Sequence, residues 1–256
     1  MKLRWVYLIP SILLLVFSVR LHAELITFGV TDDEPPLSSI YDEKAYGLIP
    51  DMIRLVFDYL PGYRVKAEAY PWPRAQYLVE HGQLDALLTY PSEKRQKYAT
   101  FSSFPVYRID FGYLIFRKDH PKRALMESAE EFSDLVSLTV VTQVGAEWEA
   151  DNIPKALPHK EVKDLESMIH LVLGREEGDY FIMPPEQAVY LAKKFGYQHR
   201  VSYAPVRFIP DSLIPFHIGI RKDHPHARLL VKEINKLANN TEFIKKKQAL
   251  IDRYRE

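Results

Sequence analysis

The chain has 256 residues, 47% of them hydrophobic, and its Lys and Arg balance its Asp and Glu at a formal net charge of +0. That length and apolar content suit one large α/β domain or two modest lobes, and a balanced charge supplies no field that draws nucleic acid or an anionic membrane surface. The absence of cysteine excludes disulfides, thiolate metal sites, a cysteine nucleophile and a lipidated N-terminal cysteine.

In chain order, Lys2 and Arg4 precede an apolar run from Trp5 to Val19, broken only by Pro10, Ser11 and Ser18. Leu21-His22-Ala23 closes the run on a small residue. This is the layout of a secretory signal peptide over 1–23, cleaved after Ala23. The run spans about 15 residues, short of the roughly 20 that cross a bilayer. Cleavage removes Lys2, Arg4 and Arg20 and leaves a slightly acidic chain. An exported protein with no cysteine to staple or lipidate suits free life in the periplasm of a Gram-negative bacterium.

A strand follows over 25–30. Leu48, Met52, Leu55, Val56 and Tyr59 recur at helical spacing, and Pro61-Gly62 stops that helix. A strand over 64–70, a helix over 74–81 ended by Gly82, and a strand over 84–88 complete a first series. A second series runs strand 111–117, strand 138–141, helix 165–173, strand 180–183, helix 186–195 and strand 216–221. Two helices, 228–237 and 241–253, end the chain, divided at Asn239-Asn240. Strands alternating with helices imply mostly parallel sheets, and two series imply two lobes.

Arg117-Lys118-Asp119-His120-Pro121 recurs as Arg221-Lys222-Asp223-His224-Pro225. Each copy follows an apolar strand holding a glycine, and both are expected to end comparable strands of the second lobe. Each histidine stands in a polar turn with no partner at metal-ligand spacing, so both are read as solvated.

The residues with chemical potential cluster in the first half. Asp32-Asp33-Glu34-Pro35-Pro36, Tyr70-Pro71-Trp72-Pro73-Arg74 and Thr89-Tyr90-Pro91-Ser92-Glu93-Lys94-Arg95 each lie just beyond the carboxyl end of an expected parallel strand, where open α/β sheets bind ligands. Trp72, boxed by two prolines, suits stacking on a ligand; the alternative is that it plugs the core. Arg74 and Arg95 offer planar forks for a carboxylate, or else solvated charges. No nucleophile elbow, metalloprotease helix, Walker loop or dinucleotide fingerprint occurs. No cofactor is implied.

Gly82-Gln83-Leu84-Asp85-Ala86, then Glu93-Lys94-Arg95, then Thr100-Phe101-Ser102-Ser103-Phe104-Pro105-Val106-Tyr107 resembles a block of the family 3 solute-binding proteins of ABC transporters, the group that includes polar amino-acid binders. The resemblance covers roughly 25–253, with a weaker counterpart at Gly178-Asp179-Tyr180-Phe181. It implies a two-lobe periplasmic binding protein-like fold of type II. Each lobe would be a mixed, mostly parallel sheet flanked by helices. Lobe one is expected over 24–107 plus 219–256 and lobe two over 108–218, with hinge crossings near 106–110 and 208–216.

The resemblance also implies roles. Arg95 matches the arginine that clamps a ligand carboxylate, and Trp72 an aromatic platform. Asp32 or Asp33 falls near an acid after the first strand, and Gln143 falls in a second-lobe loop that grips the ligand. The chain departs from the family at Leu88 and Tyr90, where small or hydroxyl residues stand, and at Pro184, where an aspartate receives an ammonium group; Glu186 is the candidate substitute. The implied function is capture of a small carboxylate-bearing solute, an amino acid or related organic acid or amine, by a monomer serving an ABC permease. Two alternatives are a ligand sensor for a membrane receptor and an enzyme like the family's cyclohexadienyl dehydratases, with Glu186 or Glu147 as general acid.

Overall fold

The computed structural model describes residues 23–256, so all but the last residue of the expected signal peptide lies outside the described residues. Strand β1 (Glu24–Thr31) turns Ile26, Phe28 and Val30 into the core, at the period of two that a pleated strand imposes. Three short strands, β2 (Asp33–Glu34), β3 (Ser38–Tyr41) and β4 (Lys44–Tyr46), then form a small antiparallel sheet. Gly47 starts the next helix at φ +120, where a Cβ would stand 2.6 Å from the Pro36 carbonyl oxygen, so only glycine fits. Helix α1 (Leu48–Phe57) buries Leu48, Met52, Ile53 and Val56 along one stripe.

The first lobe continues with β5 (Tyr63–Tyr70), α2 (Trp72–Glu80), β6 (Ala86–Thr89), α3 (Glu93–Tyr98), β7 (Ala99–Phe101) and β8 (Tyr107–Asp110). Gly29 lets α2 lie close to β1, because a Cβ there would already sit 3.2 Å from that of Ala75. The second lobe contains β9 (Tyr113–Arg117), α4 (Arg123–Ser128), β10 (Val140–Gln143), α5 (Glu147–Asn152), β11 (His159–Val162), α6 (Leu165–Ile169), β12 (Tyr180–Ile182), α7 (Pro185–Lys194) and β13 (Val201–Pro205). The chain then returns through β14 (Leu213–Arg221) to α8 (Ala227–Lys236) and α9 (Thr241–Arg253).

Two larger sheets result. The first runs β5-β1-β6-β14-β7, with β8 also pairing β14; the second runs β11-β10-β12-β9-β13. Both are mixed. β5, β1 and β6 are parallel, as are β11, β10 and β12, while β14 and β9 run antiparallel to their neighbours. One core lies under the first sheet, where α1, α8 and α9 contribute Met52, Leu230 and Phe243. Separate cores cover the two faces of the second sheet. The chain passes between the sheets twice, from β8 to β9 and from β13 to β14. Among the described residues, no helix is long and apolar enough to cross a membrane.

The repeated Arg-Lys-Asp-His-Pro block needs two corrections. Its copies end β9 and β14, which belong to different sheets, so the same corner is built once per lobe and not twice in the second. Each corner braces an aspartate that leads into a strand antiparallel to it, Asp179 before β12 and Asp85 before β6. Nor are the histidines solvated: His120 and His224 are only 7% and 6% exposed. His120 Nε2 lies 2.8 Å from Asp179 Oδ1, and Thr139 N donates to Asp179 Oδ2 at 2.6 Å. His224 Nε2 lies 4.0 Å from Asp85 Oδ1, and Thr27 donates to Asp85 Oδ2 through both N and Oγ1, at 2.9 and 2.7 Å. A turn read by residue type alone appears polar, whereas the corner packs its imidazole against an aspartate.

Burial raises the Asp85 carboxyl, but the hydrogen bonds from Thr27 and Arg221 and the adjacent His224 outweigh it and hold the carboxyl below its ordinary range. Its contribution is therefore complete above the usual aspartate range and is lost as pH falls through the depressed folded value. Asp85→Asn is expected to cost about 1–3 kcal/mol at pH 7. The difference from wild type should shrink towards pH 2–3 in denaturant titrations; a constant difference across that window would remove the charge from the explanation.

Candidate ligand recess and its relatives

The carboxyl ends of β1, β5 and β6 converge with the small sheet on a recess of about 210 Å³. Its walls are Thr31, Glu34, Leu37, Ser38, Ile49, Trp72, Leu88, Thr89, Tyr90, Arg95 and Phe216, with Val30 at the base. Edges of parallel strands leave their last carbonyls and side chains facing outward, so such a crevice is where this topology receives ligands.

Arg95 lies in α3, whose Ser92 caps the first turn by accepting from Arg95 N at 3.4 Å. Its guanidinium is fixed from three sides. Nε donates to Gln76 Oε1 at 2.9 Å, Nη1 donates to the Tyr90 carbonyl at 2.9 Å, and the group stands 5.3 Å from the Trp72 ring centre. Nη2 has no protein acceptor among the described residues. Burial pushes the guanidinium down from its ordinary value, against Tyr98, which raises it; it remains a cation at any physiological pH. A half-buried, oriented cation with a free edge suits an oxyanion such as a carboxylate.

Trp72 opens α2 between Pro71 and Pro73 and is half-buried. It lines the recess and also packs against Leu78, Val79, Leu84 and Leu87, so platform and core plug are two faces of one ring. Tyr90 is 48% exposed at the rim.

Asp32 and Asp33 do not line the recess; Glu34 does. Asp33 accepts from Thr31 Oγ1 at 3.1 Å. It pairs opposite Ser39 in the small sheet, and strand alternation sends the next side chain, Glu34, to the other face. Desolvation, and then Asp33, raise the Glu34 carboxyl. Sequence reasoning passed over Glu34, although it stands in the same acidic run. Arg74 also stands apart: it is exposed and lies 5.2 Å from the centre of the Tyr77 ring, one helical turn on.

The second-lobe candidates lie elsewhere. Gln143 lines a separate cavity of about 310 Å³ with Thr142, Glu149, Lys155, His159 and Glu161, and its backbone N donates to Glu149 Oε2 at 2.7 Å. Glu186 is fully buried and ion-paired with Arg255, so it presents no open carboxylate. The helix start of α7 that was expected to receive an ammonium is filled by the chain's own guanidinium. Nothing near position 186 in the sequence signals that, because Arg255 is the penultimate residue.

Burial pushes the Glu149 carboxyl up to about 7, against the hydrogen bond from Gln143 N. A folded value above the unfolded one means the native state holds the proton between them. Stability is thus full below about pH 4.5 and falls as pH rises through 7. Glu149→Gln keeps an acceptor without a charge. It is expected to raise the melting midpoint by roughly 4–8 °C at pH 8 and to come close to wild type at about pH 3.5. Equal gains at both pH values would show that Glu149 titrates normally.

No protein-family model matches the chain, and no curated protein does. Solved structures do. The second substrate-binding domain of GlnP from Lactococcus lactis, in an open conformation, matches at 16% identity and a TM-score of 0.69, over 90% of this chain and 95% of that one. The chain has the fold of ABC-transporter substrate-binding proteins. An ancestral cationic amino acid solute-binding protein matches at 18% identity and a TM-score of 0.67, over 92% and 97%. An amino-acid ABC transporter substrate-binding protein from Streptococcus pneumoniae, bound to L-arginine, matches at 17% and 0.56, over 91% and 96%. The two-lobe fold expected from the sequence is therefore present, and the low identities mark the chain as a divergent example of it.

Proposed function

We propose that this protein captures a small carboxylate-bearing solute between its lobes and delivers it to an ABC importer. Cleavage after Ala23 would place it in the periplasm as a monomer. The observation that carries the reading is Arg95: a guanidinium at the recess wall held by Gln76, Tyr90 and Trp72, with no acceptor for Nη2 among the described residues. The ligand carboxylate would sit on that edge and its body against the Trp72 ring. Glu34, Ser38 and Thr89 supply polar partners at the walls. The hinge would lie at the two crossings, β8 to β9 and β13 to β14. Closure about it would bring the loop at Gln143 over the ligand and bury the charge pair from water. No covalent step is required of any residue.

A thermal-shift screen of the protein from Glu24 onward against amino acids, organic acids, amines and sugars tests this. A ligand at about 100 times its dissociation constant adds roughly 2.7 kcal/mol of stability. Stabilisation confined to carboxylates is the expected outcome. Stabilisation by amines or sugars that carry no carboxylate would overturn the assignment.

A further inference from the structure

Two adjacent side chains of the C-terminal tail grip different lobes. Tyr254, which ends α9, packs on the core of the first sheet, and its hydroxyl donates to Asp51 Oδ2 of α1 at 2.9 Å. Arg255, the next residue, reaches α7 of the second lobe. Its Nε and Nη2 both donate to Glu186 Oε1, at 3.0 and 2.9 Å, and its guanidinium stands 5.6 Å from the ring centre of Tyr113 in β9. Tyr107 of β8, on the crossing strand, donates to the same Glu186 oxygen at 3.4 Å.

We propose that the Arg255–Glu186 pair is a non-covalent third strut between the lobes, beside the two covalent crossings, and that it sets the range over which they open. Two features support this. Glu186 is 0% exposed, so its charge is sustained by the tail and not by water. Its other oxygen, Oε2, is buried without a partner, so the pair is only half satisfied. Such a pair stabilises less than apolar packing of the same volume would, and its use lies in fixing a geometry. With Tyr254 anchored on α1 and Arg255 on α7, any motion that separates α1 from α7 draws the guanidinium off a buried carboxylate. The strut also stands behind the ligand recess, because Tyr107 packs edge-on against Phe216, a recess wall, with ring centres 6.4 Å apart.

The test reads lobe separation without any ligand. The chain has no cysteine, so Lys66→Cys in β5 and Lys160→Cys in β11 place one spin label on an edge strand of each sheet. Pulsed dipolar spectroscopy then reports the inter-lobe distance. Arg255→Ala is expected to broaden the distribution and add a second, longer maximum. It should also lower the melting midpoint by roughly 5–15 °C, because it orphans a buried charge. Adding Glu186→Gln removes that charge and should recover part of the midpoint while the distribution stays broad. Were Glu186→Gln to prevent folding, deletion of Arg255 and Glu256 leaves the core untouched and gives the same reading. A distance distribution identical to wild type in Arg255→Ala and in the deletion overturns the strut, even if the midpoint falls, since the pair would then be purely stabilising.

Discussion

Arg95→Ala is expected to weaken binding of the carboxylate ligand by at least about tenfold, and by up to roughly a hundredfold, while leaving the fold intact. The magnitude follows from hydrogen bonds to a charged group, about 1.5–3 kcal/mol each set, with tenfold per 1.4 kcal/mol. The fold survives because α3 buries none of its residues and Arg95 itself is only partly covered. Its two protein acceptors, Gln76 Oε1 and the Tyr90 carbonyl, lie beside the open recess and can turn to water. Arg95→Lys separates charge from geometry. A lysine keeps the cation but cannot hold Gln76, Tyr90 and a ligand at once, so it should recover little of the affinity. Titration calorimetry on the ligand found by screening, with a melting curve beside it, checks both variants. Unchanged affinity in Arg95→Ala would remove this residue from the site and with it the main reason to expect a carboxylate.

Trp72 carries the second large effect, and here binding and stability both move. The ring lines the recess on one side and packs on Leu78, Val79, Leu84 and Leu87 on the other. A fully buried tryptophan would cost about 3–5 kcal/mol on truncation to alanine; for this half-exposed one roughly 1–3 kcal/mol is expected. Trp72→Leu restores much of the apolar packing and should stay within about 1.5 kcal/mol of wild type. It still removes the planar face and the contact with the Arg95 guanidinium, so affinity should drop roughly fivefold to thirtyfold. Fluorescence provides a direct check. Trp148, the other tryptophan among the described residues, is stacked 4.4 Å from Phe111 and donates to the Asp211 carbonyl, away from the recess. Trp148 touches both crossings and can report only lobe closure, so the part of the ligand-induced change that comes from stacking should be lost in Trp72→Phe. A full signal in Trp72→Phe, or unaltered affinity in Trp72→Leu, would leave Trp72 as packing alone.

Long periodic elements were legible in the amino-acid order. The helix over 241–253 appears as α9 (Thr241–Arg253), the strand over 64–70 as β5 (Tyr63–Tyr70), and the helix over 186–195 as α7 (Pro185–Lys194). These segments bury a repeating face, and that repeat is written locally. The three short strands between Asp33 and Tyr46 were not legible, nor were β7, β8, β11 and β13. These strands carry no continuous apolar run, unlike the equally short β6, β9, β10 and β12, and hydrogen bonds to distant partners create them. The resemblance already implied that the chain returns to lobe one near 219, but only tertiary structure revealed that β14 inserts between β6 and β7, and so placed the two Arg-Lys-Asp-His-Pro corners in different sheets.

The site divides the same way. Arg95, Trp72 and Tyr90 follow parallel strands, and strand ends converge by topology alone, so their sequence positions sufficed to bring them together. Choosing among Asp32, Asp33 and Glu34 required the register of a strand pair, because one residue reverses the face. Arg74 or Arg95 was a matter of helix phase, which turns Arg74 outward over Tyr77. The fate of Glu186 depended on Arg255, a residue 69 positions away. Local composition determines which side chains can carry charge and which faces seek the core. Which charge meets which partner is decided only when the chain closes, since a long-range contact leaves no mark on the sequence around either residue.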